Sequence, residues 1–152
     1  MASFQRDVSV SCPQETVFAF LLDIERLPEL TEMTVAVKNT PGRPLQVGDC
    51  FQQVVKVMGV EIDTDWEVTE LVSHSRLRVE GRSKSNGQAS LTETVSAEGD
   101  GCRVTLDVDY DPPLGLLGEI ADKLVFERRH EEEAEHILAS LKDLCEATPS
   151  VQ

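Results

Sequence analysis

Glu93 has a setting that packing alone does not explain. It shares one face of a predicted strand with Ala89, Leu91, Val95 and Ala97, because alternate residues of a strand point the same way. An acid in an apolar row lies either at an exposed edge or inside a cavity facing something polar. A second charged set, Glu127-Arg128-Arg129-His130-Glu131-Glu132-Glu133, interrupts the apolar stripe of a C-terminal helix. Continuing that stripe from Leu124 at three- and four-residue steps sets Glu127, Arg128 and Glu131 toward the sheet. A solid hydrocarbon core would make those charges costly, whereas a wet or ligand-filled cavity would not. The other reading is that the stripe bends aside and the charges pair at the surface. Glu93 and Arg128 could form a buried ion pair. Acid–base chemistry could use Glu93, Glu131 or Tyr110, but residue type alone assigns no catalytic residue.

Trp66 and Tyr110 are the only residues of their kinds, and each carries a polar handle able to orient a ligand. Plain core packing is the competing role for both. Phe51 and Gln53 lie on a mixed strand face with Val55 and Val57, and Trp66 on another with Ile62, Thr64 and Val68. With Leu91 on the sheet and Leu117 and Leu124 on the helix, these residues form the candidate lining of a ligand site. Glu127-x-x-His130 and Glu133-x-x-His136 have the spacing of di-iron carboxylate ligands. Such sites draw on different helices facing one another, so two motifs on one helix predict no metal. Neither a nucleophile elbow, a Walker loop nor a dinucleotide-binding glycine motif is present. Cys12, Cys50, Cys102 and Cys145 have no zinc or redox spacing and read as reduced, half-buried small hydrophobes. His74, in the turn Ser73-His74-Ser75, reads as solvated.

The elements that must position these residues follow from periodicity. Phe4 to Ser11 alternates as a half-buried strand. Pro13, in the first helical position, opens a short helix over Val17 to Ile24, and Pro28 leaves Ile24 to Leu30 as a second short helix or turn. Val35 to Val37, Phe51 to Met58, Ile62 to Leu71, Arg76 to Glu80, Gln88 to Ala97 and Arg103 to Tyr110 are strands. Gly59, Asn86-Gly87 and Glu98-Gly99-Asp100-Gly101 mark hairpins between them. After Asp111-Pro112-Pro113 one helix runs from about Leu114 to Ala147, on the order of 50 Å. It exceeds the roughly 33 Å of a ten-residue strand. The economical architecture is α+β, a curved antiparallel sheet of about seven strands gripping one long helix. Gly115 and Gly118 weaken the helix start by roughly 1 kcal/mol each against Ala, so residues 112–118 are expected to gate the cavity mouth.

Length and charge bound the rest. The 152 residues suit one domain over 1–147 with a disordered tail at 148–152, and 40% apolar content supplies a core without disulfides or metal. Fourteen basic against 28 acidic residues give a net charge of −14 and a pI near 4.5. That surface repels phosphate backbones and anionic lipid, so no nucleic-acid partner is expected. No apolar run is long enough to span a bilayer. The N-terminus lacks a basic segment followed by an apolar one, so a cytoplasmic address is expected.

The order strand, two short helices, meander, long helix resembles the START/SRPBCC superfamily. The residues that carry the resemblance are Pro13-Gln14-Glu15-Thr16-Val17-Phe18-Ala19-Phe20-Leu21 with Asp23-Ile24-Glu25-Arg26-Leu27-Pro28-Glu29, then Val47-Gly48-Asp49-Cys50-Phe51 and Glu67-Val68-Thr69-Glu70-Leu71. Gly115-Leu116-Leu117-Gly118 and Asp122 to Arg129 resemble the start of the superfamily's last helix. The resemblance implies a helix-grip fold with a cavity between sheet and helix that holds a hydrophobic small molecule. Some members cyclise or dehydrate polyketides, some carry lipids, and some protect producers from reactive products. They share no active-site constellation, and fold alone does not choose among them. The expectation is a binder of a polyketide, lipid or other natural-product intermediate, without cofactor, acting as a monomer or weak homodimer. The alternatives are a polyketide cyclase or dehydratase using cavity acid–base residues, and a self-resistance protein that sequesters a toxic product.

Overall fold

The structure, a computed structural model, describes residues 2–57, 59–83, 87–111 and 123–147, with the backbone alone at 2 and at 123–126. Seven strands form one antiparallel sheet: β1 Ala2–Val10, β2 Thr34–Lys38, β3 Cys50–Val57, β4 Val60–Val72, β5 Arg76–Ser83, β6 Gln88–Glu98 and β7 Gly101–Asp111. Their order is β1-β7-β6-β5-β4-β3-β2, a meander closed at one edge by the first strand. From β3 to β7 short turns enforce this order, since a two- to four-residue connection returns the chain antiparallel to itself. In the β6–β7 turn Gly99 takes a φ of +59°, a conformation that costs side-chain-bearing residues strain.

Register sets what faces inward. On β7, Cys102, Val104, Leu106, Val108 and Tyr110 are all buried while the residues between them are not. Val10 stands opposite Cys102 where β1 ends. A Cβ on Gly101 would lie 2.3 Å from the Val10 carbonyl oxygen, so glycine alone lets the two strands approach there. Pairing shifts at Thr34/Ala36 and at Val68/Glu70 bend β2 and β4, which helps curl the sheet into a half-barrel.

Among the described residues three α-helices cover the concave face: α1 Gln14–Leu22, α2 Leu27–Leu30 and α3 Lys123–Ala147. Pro13 caps α1 in extended conformation instead of opening it, and its carbonyl accepts from Thr16 and Val17 N–H. Pro28 sits in the first turn of α2, where its missing N–H costs nothing. The described part of α3 is about 38 Å long and buries Ala134, Leu138, Leu141 and Cys145. At its C-terminal half the space between helix and sheet is solid, with Val10, Phe18, Val95, Val104 and Leu141 no more than 2% exposed. The Arg43 guanidinium grips both oxygens of Asp49 at 2.7 and 2.9 Å and holds that carboxyl below its usual range. Leu45, beside this clamp, is inserted into the core.

Three of the four cysteines, Cys12, Cys102 and Cys145, are buried, and burial pushes all three thiols up, Cys145 to about 12. Cys50 departs from the expectation: it lies on the outward parity of β3 and is exposed. Among the described residues no helix is long and apolar enough to cross a membrane.

Candidate functional site

Toward the N-terminal half of α3 the helix and sheet part company, leaving a cavity of about 240 Å³. One water needs only about 10–15 Å³ by the same measure, so this is no packing defect. Its lining is mainly aliphatic and aromatic, with isolated polar groups, the composition of small-molecule sites. Ser83, Gly87, Gln88 and Asp111 border it at the β5–β6 hairpin end, and Leu77, Glu93 and Leu106 about two pleats further in.

Glu93 lies on the inner face of β6. Leu77 stands directly opposite it on β5 and Leu106 on β7, with Leu91 and Val95 before and after it on the same face. The residue is half-buried because part of it borders the hollow. Its Oε2 is sealed from solvent and has no hydrogen-bond partner among the described residues. Burial alone raises its pKa from 4.5 to about 7, since a low-polarity setting penalises the charged form.

A polar rail crosses the opposite wall. Trp66 Nε1 donates to Gln53 Oε1 at 2.9 Å, and Gln53 Nε2 donates to Thr34 Oγ1 at 2.8 Å. The two bonds fix the amide orientation of Gln53 and the plane of the indole. Gly81 faces Trp66 across the β4–β5 pair, and a Cβ there would come within 2.6 Å of the indole. The bare glycine is the seat of the ring.

Tyr110, on β7, anchors a third wall. His130 stacks on its ring at 4.9 Å and 15°, and Phe4 meets it edge-on at 6.3 Å. Burial, reinforced by Glu127 and Glu131, pushes the phenol up to about 12, so it stays protonated. Glu133 enters from α3 and accepts a hydrogen bond from the Thr31 hydroxyl. Burial is the main cause that raises its pKa, with Glu32 adding and His136 opposing.

Of the expected lining residues, Phe51, Gln53, Trp66, Leu91, Glu93 and Tyr110 all border the cavity. Two helix residues do not. Arg128 is exposed, so the ion pair with Glu93 does not form. Glu131 turns toward β1, where Arg6 lies 3.5 Å from it and 3.1 Å from Glu135. The cause is helical phase. Among the described residues the apolar stripe Ala134, Leu138, Leu141 and Cys145 is buried against the sheet and sets the rotation of the helix. Four residues back from Ala134 and Ile137 come His130 and Glu133, the groups that enter the hollow. Leu117 and the expected gate at 112–118 lie outside the described residues, as does the side chain of Leu124.

Arg6 shows a second missed signal. It shares the inward parity of Phe4, Val8 and Val10, so strand alternation alone aims it at the helix. His130 and His136 diverge as their spacing required, His130 into the cavity and His136 to solvent. Among the described residues no group of three or more His, Cys, Asp or Glu could hold a metal ion. His74 is exposed with its ring edge-on to Phe18 at 6.4 Å.

Comparison with known proteins bears on this geometry. Residues 1–146 match the family described as polyketide cyclase / dehydrase and lipid transport. No curated protein gives a significant match to the sequence. Among solved structures, TTHA0849 from Thermus thermophilus superposes with a TM-score of 0.78 at 20% identity, over 98% of this chain and 100% of that one. The di-domain aromatase/cyclase StfQ from the steffimycin biosynthetic pathway gives 0.76 at 10% identity, over 95% of this chain and 50% of StfQ. Ara h 8.0201 gives 0.68 at 12% identity, over 97% and 99%. At such identities these likenesses establish the helix-grip fold and nothing finer.

Proposed function

Because the chain belongs to the polyketide cyclase / dehydrase and lipid transport family, we propose that its cavity binds a hydrophobic small molecule, a polyketide, lipid or related natural-product intermediate. The observation that supports this most is the cavity itself. A fold of this size can fill its interior, as it does at the other end of α3, so an apolar hollow of about 240 Å³ is retained stability cost with a use. Phe51, Leu91 and Tyr110 supply apolar contact, while Gln53, Trp66 and Glu93 supply the few polar groups that orient a ligand.

Titration with a panel of lipids and aromatic natural products, followed through Trp66 fluorescence, tests the reading. Saturable change with at least one hydrophobic compound is expected, since the indole lines the cavity and is the sole tryptophan. A flat response to every compound refutes it.

A second reading, a cyclase or dehydratase, is favoured by one observation. A carboxyl titrating near 7 matches what a general acid or base needs at neutral pH. Turnover of a bound polyketide that Glu93→Gln abolishes would establish the enzyme. Binding with no product would establish a carrier, or a protein that shields its producer by sequestration.

A further inference from the structure

The ionisable groups bordering the cavity are Asp23, Glu93, Asp111 and Glu133 with His130 and Tyr110. Among the described residues, no lysine or arginine joins them. Among the described residues, a free carboxylate or phosphate entering this hollow would meet four acids with the imidazole of His130 as the one basic group, and would lose hydration with little replacement. A neutral molecule meets no such barrier.

Glu93 has a sealed oxygen with no partner for it among the described residues. It lies about 14 Å further along β6 than Ala89, from the four-residue separation and the strand rise, and every neighbour in its row is apolar. A buried polar atom left unpartnered is costly, and another part of the same side chain borders the cavity. A protonated carboxyl offers one O–H donor, which matches an oxygen acceptor on a guest.

Resting on the reading that the cavity binds a hydrophobic ligand, we propose that Glu93, in its protonated form, donates a hydrogen bond to a ligand oxygen. A lining in which four carboxyl side chains outnumber one imidazole, with no lysine or arginine among the described residues, favours uncharged molecules, hydrophobic ketones, phenols or esters, over free carboxylates. Asp23 on the chain after α1, His130 and Glu133 on α3, and Tyr110 and Asp111 on β7 share the cavity with Glu93. None adds to the burial that governs its titration.

Three probes with one tricyclic body separate the parts of this proposal: fluorene, 9-fluorenone and 9-fluorenecarboxylic acid. Their binding is read by Trp66 quenching and calorimetry between pH 6 and 8.5. Fluorenone is expected to bind more tightly than fluorene at pH 6, and the carboxylate to bind weakest. Fluorenone affinity is expected to fall above pH 7, by about tenfold at most, and to level off near that of fluorene as the donor proton is lost. Glu93→Gln keeps an N–H donor that does not titrate, so it retains the ketone preference and loses the pH dependence. Glu93→Leu retains fluorene binding and loses the preference.

Equal affinities of fluorene and fluorenone, or a pH profile that Glu93→Gln leaves unchanged, overturn the anchor while cavity binding stands. Affinity that rises with pH overturns the protonated role, and tight binding of the carboxylate overturns the charge filter. Failure of all three probes to bind overturns this proposal together with the reading beneath it.

Discussion

Glu93 titrates near 7 in the folded protein and near 4.5 when free. Between those values the native state holds a proton that the unfolded state has released, so stability falls as pH rises through the window. Above 7 both states are ionised and the deficit is complete, about 3 kcal/mol. Carboxyls held low act in a different window. Asp49 beside Arg43, and Glu98 beside Ser9 and Arg103, lose their contribution only in acid, below about 4. In urea unfolding, Glu93→Gln is therefore expected to gain stability relative to wild type between pH 5 and pH 8. Parallel pH profiles of the two proteins would refute the buried carboxyl. Gly81 carries a prediction of opposite sign. Gly81→Ala drives a methyl into the Trp66 ring and should cost about 1–3 kcal/mol, the range for overpacking. It should also shift Trp66 emission as the bond to Gln53 Oε1 is strained, and an unchanged spectrum would show that the ring is not seated there.

Two contacts of α3 differ in kind, and magnitude separates them. Arg6 links β1 to Glu131 and Glu135 at side chains that keep 32% to 59% of their exposure, where ion pairs contribute at most about 1 kcal/mol. Leu141 is 1% exposed, and truncating such a leucine costs about 2–5 kcal/mol. Arg6→Gln should shift the unfolding midpoint little, and less still in 1 M salt, while Leu141→Ala should shift it strongly. Comparable losses from both would mean the helix is held by its charges. The same element shows where sequence reasoning stops. The strands were legible because a period of two leaves only two faces, and a single row of buried neighbours chooses between them; Glu93 fell inside for that reason. A helix offers a continuous range of rotations, and the charged run from Glu127 to Glu133 carries no apolar residue to choose one. Extrapolation from Leu124 therefore pointed to Arg128 and Glu131, when His130 and Glu133 enter the cavity. Leu45 and Thr31 were illegible for another reason: they lie in connections, where no periodicity exists to read.

At the scale of the whole molecule, charge and topology govern behaviour. A net charge of −14 keeps copies apart at neutral pH. Light scattering should rise sharply as pH is lowered toward 4.5, where that charge vanishes, and added salt at pH 7 should not have the same effect. The path of the chain carries a different consequence. From β2 to β7 every strand pairs with its neighbour in sequence, whereas β1 must find β7, joining Ala2 to Tyr110. Contacts between near neighbours close small loops and form readily; those across a hundred residues wait. During synthesis the saddle of the protein can thus assemble while its roof is still inside the ribosome. For that interval the future cavity is an open trough of leucine, valine and aromatic surface, and a nascent chain stalled before Lys123 would present that trough to chaperones and to other unfinished chains.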